Sequence, residues 1–204
     1  MSDLDTPGTR KADRARATRA ALVAAGRELF ADQGFAATST EQIVRHAQVT
    51  RGALYHHYRD KTDLFRAVFE AMEEELTARL VRAAAAGDGP LDQLQRGYAA
   101  FLDACVEPAV RRIVLVEGPS VLGWDEWQEI DARHMFGLVE ASVAQAVAAG
   151  EIAEQPVEPL AHLVFGAVVH VGLVVARDPD PATAAAAMGG ALRQLLDGLR
   201  PRAG

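Results

Sequence analysis

An all-α fold is predicted by two features of this 204-residue chain. Apolar residues recur at helical spacings of three and four through successive segments, and no segment shows a convincing strand pattern. Gly, Pro and Asp clusters punctuate these segments, which predicts about nine helices. The length suffices for a small N-terminal module followed by one sizeable helical core.

Residues 1–12 open the chain as a mobile arm rich in Arg and Lys. The stretch MSDLDTPGTRKADRAR lacks the apolar centre of a signal peptide. Such an arm serves either as a phosphate or minor-groove contact or as a solubility tail, and the sequence weighs the two equally. A first helix over about 13–33 follows from Leu22, Val23, Gly26, Leu29 and Phe30, and it stops at Gly34. Ser39 or Thr40 then caps a second helix, because Ser39 with Gln42 forms an S-x-x-Q capping box. Ile43 and Ala47 share its inner face, Thr50 caps a third helix, and Leu54 and Tyr58 repeat the four-residue spacing. Ile43, Ala47, Val49 and Leu54 can form one small core. That core fixes the crossing of two helices too short to be stable alone.

A long helix over 60–86 is capped by Asp60 and carries the stripe Phe65, Val68, Met72, Leu76 and Leu80; Glu73, Glu74 and Glu75 read as a solvated face rather than a metal site. Gly87-Asp88-Gly89-Pro90 breaks it. A fifth helix covers about 90–106, and Pro108 starts a shorter one that ends at Glu117. Residues 118–123 read as a loop, residues 124–149 as a long helix closed by Gly150. Pro156 and Pro159 open another helix to Arg177, and residues 178–181 separate it from a last helix ending near Arg200. Residues 160–176 form a charge-free run of 17 at the short edge of membrane-spanning length. His162 and His170 interrupt it, Gly166 and Gly172 thin it, and no positive flank sets a topology, so no membrane is expected. A helix apolar on nearly every face is more simply buried on two sides, one by its own domain and one by a second subunit. Val168 and Val169, with Leu192, Leu195, Leu196 and Leu199 from the last helix, are the candidate residues for a twofold interface of four helices.

The second short helix of the N-terminal pair is suited to a DNA major groove. Arg51 can donate a bidentate pair to guanine, while Gly52 and Ala53 let the backbone come close, and Tyr55 and His56 add aromatic hydrogen-bonding groups. Thr40, Thr50, Tyr55, His57 and Lys61 supply donors for phosphates at helix starts and flanks.

This segment resembles the helix-turn-helix of TetR-type (TetR/AcrR) transcriptional regulators. The matching residues are Gly34-Phe35, Thr38 to Thr40, Ile43, Ala47, Val49 to Tyr55, His57-Tyr58 and Lys61 ahead of Leu64-Phe65. Two positions depart. Gln48 stands where the family usually has a turn glycine, and Val44 where it usually has alanine. The resemblance implies a helix-turn-helix domain over 13–59 and a ligand-binding and dimerisation domain over 60–204. It also implies a regulator, expected to be a repressor, that binds a near-palindromic operator as a homodimer and leaves it on binding a small molecule. Reader helices of such a dimer must meet grooves about 34–36 Å apart or at a small multiple of a helical turn.

The charge distribution fits. The net charge is -7, yet residues 1–66 hold 11 Lys and Arg against 8 Asp and Glu, a balance of +3, and the remainder holds 10 against 20, a balance of -10. A single cysteine, Cys105, allows no intramolecular disulfide and suits a reducing cytoplasm. An effector cavity could draw on Tyr98, Phe101, Cys105, Trp124, Trp127, His134, His162 and Phe165, for each of which plain core packing is an equal reading. No G-x-S-x-G, phosphate loop or H-E-x-x-H occurs, so no enzyme is expected. His162 and His170 lie eight apart without a matching ligand set, so neither metal nor cofactor is expected.

Overall fold

The computed structural model describes residues 7–201. Among them are nine α-helices and one π-helical segment: α1 (Pro7–Ala37), α2 (Thr40–His46), α3 (Arg51–His57), α4 (Lys61–Ala84), α5 (Pro90–Cys105), the π segment (Val110–Glu117), α6 (Gly118–Leu122), α7 (Trp124–Ala148), α8 (Val157–Arg177) and α9 (Pro181–Asp197). The fold is all-α, as the periodicity predicts. Two compact units divide the chain between Phe69 and Glu70, inside α4.

Helix α1 begins at Pro7, so residues 7–12, expected in the arm, are helical. Proline at a first helical position sacrifices no helical hydrogen bond, and the Arg, Lys and Ala that follow are good helix formers. Residues 1–6 of the expected arm lie outside the described residues. At the other end Gly34 has φ 84°, a left-handed conformation that glycine adopts without strain, and the helix kinks there.

The first unit is built on α1, α2, α3 and the start of α4. Leu22, Phe30, Ile43, Leu54, Leu64 and Phe65 are fully buried. The rings of Phe30, Phe35 and Phe65 form a triangle with centroids 5.3 to 5.7 Å apart. Gly26 lets α1 and α4 meet, since a Cβ there would lie 3.1 Å from Val68 Cγ2.

The second unit packs α5 against α7, α8 and α9, with the π segment and α6 closing one end. Its core takes Leu91, Phe101 and Leu102 from α5, Trp127, Ile130 and Val143 from α7, and Val164, Val168 and Val175 from α8. Helix α8 is 21 residues long and apolar enough to cross a membrane by length and composition alone, and Leu160, Ala161, Val164, Val168, Leu173 and Val175 turn its inner side into this core. A Cβ on Gly172 would lie 2.8 Å from the Phe101 ring, so glycine is what lets α8 approach α5.

Residues 118–123 form no loop, contrary to expectation. They contain α6, and only Gly123, at φ 87°, breaks the chain. Gly118 is a packing glycine rather than a turn residue: a Cβ there would lie 2.8 Å from Trp127 Cδ1 and 3.1 Å from the Ile113 carbonyl oxygen. The preceding π segment is fixed from the same side. Trp127 is 1% exposed, and its indole Nε1 donates to the Val114 carbonyl at 2.9 Å. Five residues on, where a π-helical donor would stand, is Pro119, which has no N–H. The indole satisfies the carbonyl that the backbone leaves free.

Candidate nucleic-acid interface and a buried acid pair

Both short helices are capped as their sequences require. The Ser39 hydroxyl accepts from the Gln42 amide at 3.2 Å, and the Gln42 side chain accepts from the Ser39 amide at 2.7 Å, closing the capping box. Thr50 accepts from the Ala53 amide at 3.2 Å. Between the helices the Gln48 amide donates to the Arg45 carbonyl and the Val49 amide to the Val44 carbonyl, which is the Schellman pattern around a left-handed residue. That residue is Gln48, at φ 54°. Gln48→Gly is therefore expected to stabilise the protein by about 0.5–1 kcal/mol, net of the entropy glycine adds to the unfolded chain. Chemical denaturation of the two proteins checks this; an unchanged or lowered midpoint would mean the left-handed Gln48 carries no strain.

Leu54 is fully buried and anchors α3, so the opposite face of the helix turns outward. Arg51, Gly52, Tyr55 and His56 are exposed there, with Ala53 and His57 half-buried at the margins. Arg51 pairs with Glu41 at 3.0 Å and lies 5.5 Å over the Tyr55 ring. The Glu41 carboxyl is held below its usual range chiefly by its own backbone amide at the start of α2, with Arg51 adding less. This pair is exposed and readily exchanged for a phosphate or a base edge. Gly52 has no internal reason to be glycine, because a Cβ there would meet only Thr50 Oγ1, at 3.9 Å. Thr40 and Thr50 stand at the starts of α2 and α3, and the two histidine rings are 5.2 Å apart at the end of α3.

Lys61 departs from its expected role. Its ammonium donates to the carbonyls of Phe35 at 2.7 Å and Thr38 at 2.8 Å and sits 4.1 Å from the Phe35 ring centroid. It ties α4 to the α1–α2 corner rather than offering itself to a phosphate. Tyr58 likewise faces inward, 4% exposed, and meets Arg19 through its hydroxyl at 3.3 Å.

In the second unit the eight candidate cavity residues are dispersed. Trp124, His162 and Phe165, with Phe136, line a cavity of about 400 Å³ between α7 and α8, where the Phe136 and His162 rings stack at 4.4 Å. Tyr98 lines another, of about 430 Å³, between α5 and α9. Phe101 and Cys105 are buried against Gly172, and Trp127 holds the π segment, so these three are core residues. His134 is half-buried and lines neither of these two cavities. Three of the six candidate interface residues also face inward: Val168, Leu192 and Leu196 are 5%, 6% and 1% exposed within the single chain and are spent on its own core. Val169 and Leu199 are half-buried, while Leu195, at 57%, and Leu163, at 72%, are exposed.

Two acidic residues are buried, and one of them, Glu73, is expected from the sequence on a solvated face. Glu73 of α4 is 1% exposed and Asp131 of α7 is 8% exposed, whereas Glu74 and Glu75 do face solvent. Both Glu73 carboxylate oxygens and Oδ2 of Asp131 lack a hydrogen-bond partner. Burial raises the Glu73 carboxyl to about 8, with the Asp131 charge adding to it, and burial raises Asp131 to about 7. Cys105 of α5 lies near enough to feel the Glu73 charge, its thiol pushed up to about 12 by burial and then by Glu73. The signal is present in the sequence. Glu73 interrupts the buried row Phe69, Leu76, Leu80, and Asp131 interrupts Trp127, Met135, Val139.

Two family models match the chain. The model of bacterial regulatory proteins, tetR family, matches residues 22–68, and that of the tetracyclin repressor-like C-terminal domain matches residues 91–199. The crystal structure of a TetR-family transcriptional regulator from Pectobacterium atrosepticum is 30% identical, with a TM-score of 0.84, over 93% of this chain and 97% of its own. The transposon Tn10 TetC protein of Escherichia coli is 25% identical over 158 residues, 78% of this chain and 80% of that protein. RolR in complex with resorcinol shares the fold at 17% identity, with a TM-score of 0.68 over 94% of this chain and 98% of that one.

Proposed function

Because this chain belongs to the TetR family of bacterial regulatory proteins and is a DNA-binding transcriptional regulator rather than an enzyme, we propose that it is a dimeric, effector-released repressor. It would act in the cytoplasm on a near-palindromic operator. The observation that carries this reading is the outward face of α3, where Arg51, Gly52, Tyr55 and His56 stand exposed on a helix capped by Thr50 and anchored by Leu54. Arg51 reads a base edge, Gly52 admits the DNA backbone, and the starts of α2 and α3 meet phosphates.

One such helix spans too few bases to specify a site, so the reading needs a second copy. The face for it lies on the outer sides of α8 and α9. Leu163, Gly166, Ala167 and His170 follow one another at helical spacing on α8, and Ala187, Ala191 and Leu195 do so on α9. Small residues flanking two exposed leucines allow close helix approach across a twofold axis. The effector binds in the second unit and tilts α4, the helix that continues into the reader. To release DNA it must favour the unreading arrangement, since equal affinity for both arrangements would shift nothing.

The test uses Arg51→Ala. Operator affinity at fixed salt is expected to fall by about 1–3 kcal/mol, with relaxed base preference at the position Arg51 reads. Thermal stability should be unchanged, because the side chain is exposed and its pair with Glu41 is worth little. A variant that binds the operator with undiminished affinity and selectivity would remove Arg51 from the reading surface.

A further inference from the structure

The Glu73 and Asp131 carboxylates stand inside the second unit without a hydrogen-bond partner, and that arrangement is expensive. Each ionised carboxylate withdrawn from water costs several kcal/mol unless it is paired or neutralised. Arg133, the nearest cation along α7, turns instead to Glu129 at 3.3 Å and Glu70 at 3.9 Å. The pair is therefore not part of an internal ion pair, and the buried residues nearest to it along its own two helices are apolar: Met72 and Leu76 on α4, and Trp127, Ile130 and Met135 on α7.

We propose that Glu73 and Asp131 form the binding site for the protonated amino group of a largely apolar effector, so that the inducer is a cationic amine. This rests on the effector-released reading above and names the chemistry of the effector. Three acceptor atoms are unbonded there, Oε1 and Oε2 of Glu73 and Oδ2 of Asp131. A primary ammonium carries three donors. A calcium or magnesium ion is a poorer match, since it demands six or more oxygens, and among the described residues no group of three or more His, Cys, Asp and Glu could hold a metal. The Cys105 thiol, near enough to feel the Glu73 charge and packed with the Phe101 ring at Gly172, supplies apolar surface.

The binding step conserves charge and protons. At neutral pH the pair retains protons; the ammonium takes the place of one of them, and that proton passes to solvent. Glu73 lies on α4 itself, so drawing its carboxylate towards Asp131 on α7 acts on the helix that Lys61 fastens to Phe35 and Thr38. The ligand thus acts directly on the element that enters the reader unit.

Isothermal titration of the full-length protein without DNA tests this, with 4-phenylbutylamine as probe and 4-phenylbutan-1-ol as its uncharged counterpart. The amine should bind at least tenfold more tightly than the alcohol. Titration in two buffers of different ionisation enthalpy should show protons released on binding the amine and none on binding the alcohol. Glu73→Gln, and separately Asp131→Asn, should weaken amine binding by about 10- to 100-fold, the loss of a charge-assisted hydrogen bond, and leave the alcohol unaffected. Absence of amine binding, equal affinity for the alcohol, no proton release, or unchanged amine binding by both variants would each overturn the proposal. Failure here with operator binding intact sinks only the amine. Failure to find an operator sinks the regulatory reading and leaves the amine result standing.

Discussion

The protein is expected to lose stability as pH rises from 5 to 8.5. Glu73 and Asp131 have raised folded pKa values, about 8 and about 7, against ordinary values of 4.5 and 3.8. Between these limits the folded state holds more protons than the unfolded chain, so the slope of unfolding free energy with pH is negative. The stability present below pH 4 is lost progressively and the loss ends once pH passes the folded values. Cys105, held to about 12, stays protonated throughout. The loss amounts to about 3–6 kcal/mol for the pair, at about 1.4 kcal/mol for each tenfold change in proton affinity and with allowance for the action of each charge on the other. Glu73→Gln and Asp131→Asn should each flatten the profile and raise the melting temperature at pH 8 more than at pH 5. Urea titrations across this range are the measurement; parallel profiles for wild type and variants would show that both carboxylates are solvated.

Trp127→Ala is expected to destabilise the protein by about 3–5 kcal/mol, the range for emptying a large buried aromatic site. Two losses combine, because the variant leaves a cavity beside Gly118 and orphans the Val114 carbonyl in the π segment. Trp127→Phe separates them. It keeps most of the ring and removes the donor, and should cost about 1–3 kcal/mol for the unsatisfied carbonyl and the smaller ring. A phenylalanine variant with wild-type stability would show that the π segment does not depend on the indole hydrogen bond.

The reader unit is legible in the sequence because its signals are local. Ser39 with Gln42, Thr50 with Ala53, and the left-handed Gln48 are set by residues within a turn of one another, and the sequence displays all of them. Lys61 is not legible in the same way, because its partners, the Phe35 and Thr38 carbonyls, are more than twenty residues away. The longer helices of the second unit are equally readable, α6 being the exception, yet which face of each turns inward depends on tertiary neighbours. Val168, Leu192 and Leu196 cannot be told from Leu195 by hydrophobicity alone. Glu73 reads by its charge as one of a run of three glutamates, although its register with Phe69 and Leu76 places it inside. Gly118 looks like a loop signal beside Pro119, whereas in the fold Trp127 occupies the space a side chain would need.

That two copies of α3 read one operator is tested most directly by selecting bound fragments from random double-stranded DNA with the purified protein, at stated salt. A near-palindrome should be enriched, with half-sites about one helical turn apart or a small multiple of it. Recovery of no enriched sequence, or of a single unpaired half-site, would contradict paired reading.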